Sequence, residues 1–240
     1  MFVRADGRKF DEIREIKIEQ NYIKWAEGSC LISLGDTKVI CTASVLDTVP
    51  QFAKEKKIGW VFAEYSMLPR SVDTRTSRTQ SGRSYELQRI IGRSLRAAVD
   101  LAQMPNISVA VDCDVIQADG STRCASIIGG FISLCYALDK ARRDGKIESF
   151  PVRRIISAVS CGILNGNKVV DLTYKEDSEA WCDMTIVATD KGEICEVQGG
   201  VENGGFMKME DFYELVNMGI SAIYKIVEIQ KEYLKGIVDW

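Results

Sequence analysis

The stretch from Cys124 to Arg143 constrains this chain most, because as a helix it is apolar nearly all round (Ile127, Ile128, Phe131, Leu134, Cys135, Leu138). A helix without a polar face has to be covered on every side, so the pattern predicts a buried central helix. Gly129 and Gly130 weaken its helix propensity but permit close backbone packing. The residues leading into it are equally directed. Val109, Val111, Cys113 and Val115 alternate with Asp112 and Asp114, the period of a half-buried strand. Asp119-Gly120 then signals a turn, followed by Ser121, Thr122 and Arg123. A strand thus delivers small hydroxyls and one arginine to a helix start, where free N–H groups and the positive dipole end attract anions. The forked guanidinium suits phosphate in particular.

Around this centre the chain alternates strand and helix signals. Ile13 to Glu19 reads as a strand, and Ser29–Leu34 with Lys38–Val45 as a hairpin across Gly35-Asp36-Thr37. Lys54 to Lys57 reads as a charged loop and Trp60 to Tyr65 as a further strand of an antiparallel meander. Met67 to Gly82 lacks apolar periodicity and is rich in Ser, Thr and Arg, which marks a surface loop. Ser84 is expected to cap a helix over Tyr85–Leu101, with Leu87, Ile90, Ile91 and Leu95 inward and Arg89, Arg93 and Arg96 outward. Beyond the central helix, Ile155–Leu164 and Lys168–Tyr174 form a hairpin across Asn165-Gly166. Lys175–Trp181 reads as an acidic loop, and Asp183–Thr189 with Glu193–Gln198 as another hairpin. Gly199, Gly200, Gly204 and Gly205 read as a flexible link before an amphipathic helix over Met209–Lys235. The layout is α+β, with helices packed on sheets. It is expected as a single domain over residues 1–240, built from two meander-plus-helix halves.

The 240 residues include no histidine, which excludes Ser-His-Asp and Cys-His nucleophilic catalysis and histidine-based metal sites. The eight cysteines form no C-x-x-C pair and sit in apolar runs, so they are expected to be buried thiols rather than a zinc site. A net charge of -3 argues against a body coated for nucleic acid, while leaving room for a local basic site. No membrane-spanning stretch is expected, the first ten residues lack a secretory apolar core, and a cytoplasmic location follows as the expectation.

Three constellations bear on chemistry. Asp171, Glu176, Asp177, Glu179 and Asp183 place several carboxylates near one another, able to bind Mg²⁺ or Mn²⁺ or to form a solvated acidic turn. Asp112 and Asp114 share a strand face and are expected to pair with arginines of the Tyr85–Leu101 helix. Arg70, Arg75, Arg78 and Arg83 lie in the Ser/Thr/Arg segment, where an arginine loop can track a phosphate backbone. Arg83 stands beside a helix start, as Arg123 does, which suggests a clamp on one phosphate.

The runs R-A-D-G-R (Arg4–Arg8), A-E-G-S (Ala26–Ser29), G-D-T-K-V (Gly35–Val39), A-E-Y-S-M-L-P-R (Ala63–Arg70), S-G-R (Ser81–Arg83), I-G-R-S-L-R-A (Ile91–Ala97) and D-C-D-V-I-Q-A-D-G (Asp112–Gly120), with T-R, E-D-S and D-M after them, resemble the ribonuclease PH family. The resemblance covers almost the whole chain in order. It implies an RNase PH-type α+β fold with mixed or antiparallel sheets, and a hexameric ring of this chain assembled from dimers. It implies phosphorolytic removal of nucleotides from RNA 3′ ends, notably tRNA precursors beyond the CCA end, with inorganic phosphate as co-substrate and no DNA or membrane partner. The reverse reaction would add nucleotides. The family's phosphate ligands fall on Arg83, Ser121, Thr122 and Arg123, and its catalytic and metal-binding acids on Asp177 and Asp183. Its tRNA-contacting arginines fall in the loop with Arg70, Arg75 and Arg78. Two departures stand out: G-S-T-R replaces the family's G-G-T-R, and the Arg70–Arg83 stretch is shorter and lacks the usual lysines. A silent RNA-binding or scaffold subunit of the same fold is the rival reading, and such relatives lose the arginines and acids that this chain keeps.

Overall fold

The computed structural model describes residues 2–79, 81–202 and 204–237. The strands β1 (Ile16–Gln20), β2 (Gly28–Leu34), β3 (Thr37–Leu46) and β4 (Trp60–Met67), with α1 (Gln51–Glu55) between the last two, are followed by α2 (Gly82–Ala97) and β5 (Ser108–Gln117). The central helix α3 spans Thr122–Arg143. The second half holds β6 (Ile156–Leu164), β7 (Asn167–Val170), α4 (Tyr174–Glu179), β8 (Cys182–Thr189), β9 (Ile194–Val201) and α5 (Met209–Tyr233).

The fold is α+β. One sheet is mixed, with order β1-β2-β3-β5-β4, and the other antiparallel, with order β7-β6-β8-β9. The antiparallel meander expected for the first strands holds only for β1 to β3. β4 lies at the sheet edge and runs parallel to β5, with Glu64 opposite Asp112. A parallel neighbour needs a crossover, and α2 supplies it by packing across β4.

α3 passes between the two sheets, against β2, β3 and β5 on one side and β6 on the other. It is long and apolar enough to cross a membrane by length and composition, contrary to the expectation that no stretch is. Here 89% of its most apolar window is buried inside the fold, so its apolar surface is spent on the core. Gly129 explains how it gets so close. A Cβ there would lie 2.8 Å from Ile32 Cγ2 and 2.9 Å from Cys41 Sγ. All eight cysteines are free thiols, and burial pushes those of Cys124 and Cys182 up to about 12 and about 11.

Several local expectations need correction. α2 starts three residues early: Ser81, not Ser84, is its N-cap, and Ser84 answers from the N3 position in a capping box. Two short helices are unexpected: α1, which runs into the expected Lys54–Lys57 loop, and α4, which takes up most of the expected Lys175–Trp181 loop and is opened by a capping box of Thr173 and Glu176. Gly199 and Gly200 belong to β9 rather than to a link. Asp112 and Asp114 do not meet the helix arginines, because they alternate away from the face on which α3 packs. Arg93 pairs with Glu196 at 2.8 Å, and Arg96 donates to the Val61 carbonyl over the Trp60 ring. Asp112 has Thr42 Oγ1 at 3.4 Å instead, and burial followed by the charge of Glu64 pushes its carboxyl upward.

Replacing Gly129 with alanine is expected to destabilise the protein by about 1–3 kcal/mol, the usual cost of overpacking. A melting curve checks it, and an unchanged midpoint would mean the helix can shift where its neighbours leave no space.

Candidate active site

The acidic run divides when its side chains are followed. Asp171, directly after β7, points inward: its Oδ2 accepts from the Arg14 N–H at 2.7 Å and from Arg14 Nε at 2.9 Å, while its Oδ1 accepts from Arg14 Nη2 at 2.7 Å. Arg8 adds a contact at 3.1 Å. Glu176 takes both oxygens to the buried Arg4, at 2.8 Å each, and Arg4 also donates to the carbonyls of Val170 and Asp171. Burial alone would raise both carboxyls, yet the guanidiniums hold Asp171 and Glu176 below the ordinary carboxylate range. These two acids are structural. Glu179 is exposed.

Asp177 and Asp183 turn the other way, into a cavity of about 420 Å³ that Arg83, Ser178, Ala180 and Glu202 also line. A smaller recess continues from the same three charged residues, Arg83, Asp177 and Asp183, to Ser121, Thr122 and Arg123. Four elements converge here: α2 brings Arg83 on its first turn, α3 its first two residues, α4 Asp177 and β8 Asp183.

The recess has the makings of an anion site. α3 starts without a side-chain cap, whereas α2 and α4 both have capping boxes, so its leading N–H groups receive no internal acceptor from a cap. Arg123 donates one Nη to Gln198 Oε1, and Gln198 in turn donates to Glu86. Among the described residues Arg123 Nε is buried without a partner, an orphan donor beside the helix start. Thr122 Oγ1 bonds the Tyr65 hydroxyl at 2.9 Å.

On the opposite wall, burial and then the neighbouring charge of Asp183 push the Asp177 carboxyl above its ordinary value, against the pull of Arg83 and Arg123. Two close carboxylates facing one cavity are what a hard divalent cation offsets, and their oxygens suit Mg²⁺ or Mn²⁺. Among the described residues no group of three or more His, Cys, Asp or Glu forms a closed ligand set, so water or substrate oxygens would complete the shell.

Ser121 occupies the left-handed region, at φ 55° and ψ 25°. A serine there is strained by about 1–2 kcal/mol relative to glycine. Its hydroxyl bonds Ser160, Asp171 and Leu172 rather than standing free.

Arg70, Arg75 and Arg78 are exposed on the loop after β4 and do not line the cavity. That loop ends at Ser81, the cap of the helix that carries Arg83. Sequence reading missed Glu202, Gln198, Tyr65 and Ser160. Gln198 had a detectable signal, since it shares a β9 face with Glu196 and Gly200, but nothing local tells that this face meets Arg123.

Family models match along most of the chain: domain 1 of the 3′ exoribonuclease family over residues 12–138 and domain 2 over residues 154–222. The chain belongs to the RNase PH family. Among solved structures, it is similar to a chain of the Archaeoglobus fulgidus exosome with RNA bound to the active site, at 27% identity and TM-score 0.83, covering 95% of this chain and 92% of that one. An archaeal exosome core chain matches at 27% identity and TM-score 0.77, over 95% and 91% of the two chains. Rice (Oryza sativa) Rrp46 shares the fold at TM-score 0.77 and 19% identity, over 97% and 100%. The RNase PH resemblance read from the motifs, and the mixed-sheet α+β fold it implied, both hold.

Because Asp171 and Glu176 are held ionised in the folded state, they stabilise it above the ordinary carboxylate pKa of about 4, and that stability is lost as pH falls through their lowered values. Asp171→Asn is expected to lower the melting temperature at pH 7 and to flatten its fall between about pH 5 and pH 2. An acid limb identical to the wild type would count against this hub.

Proposed function

We propose that this RNase PH-family protein is a phosphate-dependent 3′–5′ exoribonuclease that shortens RNA, tRNA precursors beyond the CCA end among them, and releases nucleoside diphosphates. The observation that carries the reading is the unsatisfied Arg123 Nε at an uncapped helix start, with Arg123 sharing one recess with Arg83, Asp177 and Asp183.

Inorganic phosphate needs no general base, because it is already an anionic nucleophile near neutral pH. Arg83, Arg123 and the leading N–H groups of α3 hold it and screen its charge. One phosphate oxygen forms a bond to the phosphorus of the 3′-terminal nucleotide as the bond from that phosphorus to the preceding ribose 3′ oxygen breaks. The 3′ oxygen then gains a proton, and the diphosphate leaves. Thr122 takes part through its backbone N–H, and its hydroxyl also bonds the Tyr65 hydroxyl. Asp177 and Asp183 would hold Mg²⁺ or Mn²⁺, which supplies charge compensation at the scissile phosphodiester. The raised Asp177 carboxyl is alternatively the proton source for the leaving oxygen.

Several features support the wider assembly. The similar structures are exosome chains, and large apolar side chains stay exposed here, Trp25 at 83% and Phe206 at 96%. A ring of six copies, working in the cytoplasm, accounts for both, with Arg70, Arg75 and Arg78 contacting the RNA body. The scaffold alternative draws on the fold that the exosome chains and Rrp46 share with this protein. Incubation with RNA and Mg²⁺, with and without phosphate, separates the readings. Phosphate-dependent nucleoside diphosphates support phosphorolysis, monophosphates without phosphate point to hydrolysis, and no product leaves a scaffold.

Arg123→Ala is expected to raise the KM for phosphate by about 100-fold, the effect of losing one charged anion donor. A near-normal rate at low phosphate would sink the assignment. Asp183→Asn should cut kcat by at least about a thousandfold while filter binding of RNA stays near wild type. The pH–rate profile separates the roles of Asp177. As a metal ligand it gives a rising acid limb that moves to lower pH with more Mg²⁺, whereas as a proton donor it gives a falling limb indifferent to Mg²⁺.

A further inference from the structure

Ser121 is strained yet fully engaged. It sits at positive φ, where glycine would rest without cost, and so does its partner Asp171, at φ 52°. Backbone strain in two facing residues persists only where the surroundings overdetermine it, and here a closed chain of hydrogen bonds does so. The Leu172 N–H donates to Ser160 Oγ at 2.9 Å, which leaves the Ser160 proton for Ser121 Oγ at 2.8 Å. The Ser121 proton then goes to Asp171 Oδ1 at 3.3 Å or to the Leu172 carbonyl at 3.2 Å. Each hydroxyl spends its single proton once. Ser160 is 8% exposed and Asp171 1%, so the two partners are buried, while Ser121 between them is half-buried and lines the recess.

The two ends of this chain belong to opposite walls of the cavity. Ser121 is the N-cap of α3, immediately before Thr122 and Arg123. Asp171 and Leu172 open the segment that becomes α4, which carries Asp177. The same junction is closely packed beside it: a Cβ on Gly120 would lie 2.6 Å from the Leu172 carbonyl oxygen and 2.7 Å from the Tyr174 nitrogen. Arg14 adds a strut, donating to the Asp119 carbonyl at 2.5 Å while it grips Asp171.

We propose that Ser121 is a positioning residue: its hydroxyl, through Ser160 and Asp171, fixes the distance between the phosphate-holding start of α3 and the acid-bearing segment after Asp171. The inference rests on the phosphorolytic reading above. It assigns the serine that stands in place of glycine in G-S-T-R an internal role, so that phosphate meets the backbone and Arg123 and not the Ser121 hydroxyl.

Phosphorolysis kinetics of Ser121→Ala, Ser121→Gly, Ser160→Ala and the Ser121→Ala/Ser160→Ala double variant, with phosphate and RNA varied separately, provide the test. Each single variant is expected to raise the KM for phosphate by about five- to tenfold, the loss of one part-buried hydrogen bond, and to leave the KM for RNA near wild type. The double variant should be no worse than Ser121→Ala, because both remove the same link. Ser121→Gly separates positioning from folding. It relieves the positive φ, so its melting temperature should stay within a few degrees of wild type while its phosphate KM is still raised. A wild-type phosphate KM in Ser121→Gly, or multiplying effects in the double variant, overturns the proposal. The rise in melting temperature produced by inorganic phosphate is read in parallel. If the wild type shows neither that rise nor phosphate-dependent product, the phosphorolytic reading itself fails. If the wild type shows both and the Ser121 variants match it, only the positioning role fails.

Discussion

Asp171 is the point on which the site depends. Its buried carboxylate is gripped by the Arg14 side chain and N–H, touched by Arg8, and approached by the Ser121 hydroxyl. Arg4 completes the arrangement by holding Glu176 and the carbonyls on either side of the β7 end. Apolar residues of equal volume would pack here at similar or lower energetic cost. What they would not supply is direction. Forked donors on a carboxylate fix both distance and plane, and this network orients three separate chain segments: the N-terminal strap, the turn before α3 and the entry to α4. The charges of the cavity are thereby placed by charges outside it.

α3 makes the placement possible. Because it has no polar face, the core holds it from both sheets, and its first residues are the one part that reaches the cavity. Its polar ends are the remaining place where it can interact with an ion. A well-buried helix whose N-terminus lacks a side-chain cap presents its N–H groups in a fixed direction, with little freedom to rearrange when an anion arrives. Preorganised donors of that kind stabilise developing charge more than mobile ones do. The apolar pattern that closes the core therefore also aims the anion site.

Much of this was legible from local chemistry. Turn pairs such as Asn165-Gly166 and Gly35-Asp36 marked their hairpins, and the apolar run marked α3 with its start correct to two residues. The misses have physical causes. The parallel pairing of β4 with β5 depends on how α2 crosses the sheet, and no residue in β4 encodes its neighbour. α4 is six residues long and rests on a capping box within an acidic run, too short for periodicity to reveal. The acids themselves look alike in sequence. Asp171 and Glu176 differ from Asp177 and Asp183 only in whether an arginine more than 150 residues away meets them, as Arg14 and Arg4 do. The hydroxyls of Thr122 and Ser121 likewise meet partners, Tyr65 and Ser160, that lie 57 and 39 residues away along the chain.

The absence of histidine fits this design. A hydrolase must activate water, which calls for a base or a strongly acidic metal site. In the proposed reaction the nucleophile arrives ionised, and the difficulty is bringing one anion up to another. That task calls for fixed positive charge on one wall and a cation-compatible pair of carboxylates on the other, held at constant separation. Arg83 and Arg123 face Asp177 and Asp183 across the recess in that arrangement. Arg70, Arg75 and Arg78 sit instead on an exposed loop outside that network, so the RNA contacts proposed for them would lie apart from the cavity. In the proposed reading, chemistry and grip would thus be carried by separate parts of the chain, and a shortened loop would alter the second while the first stays anchored through Asp171.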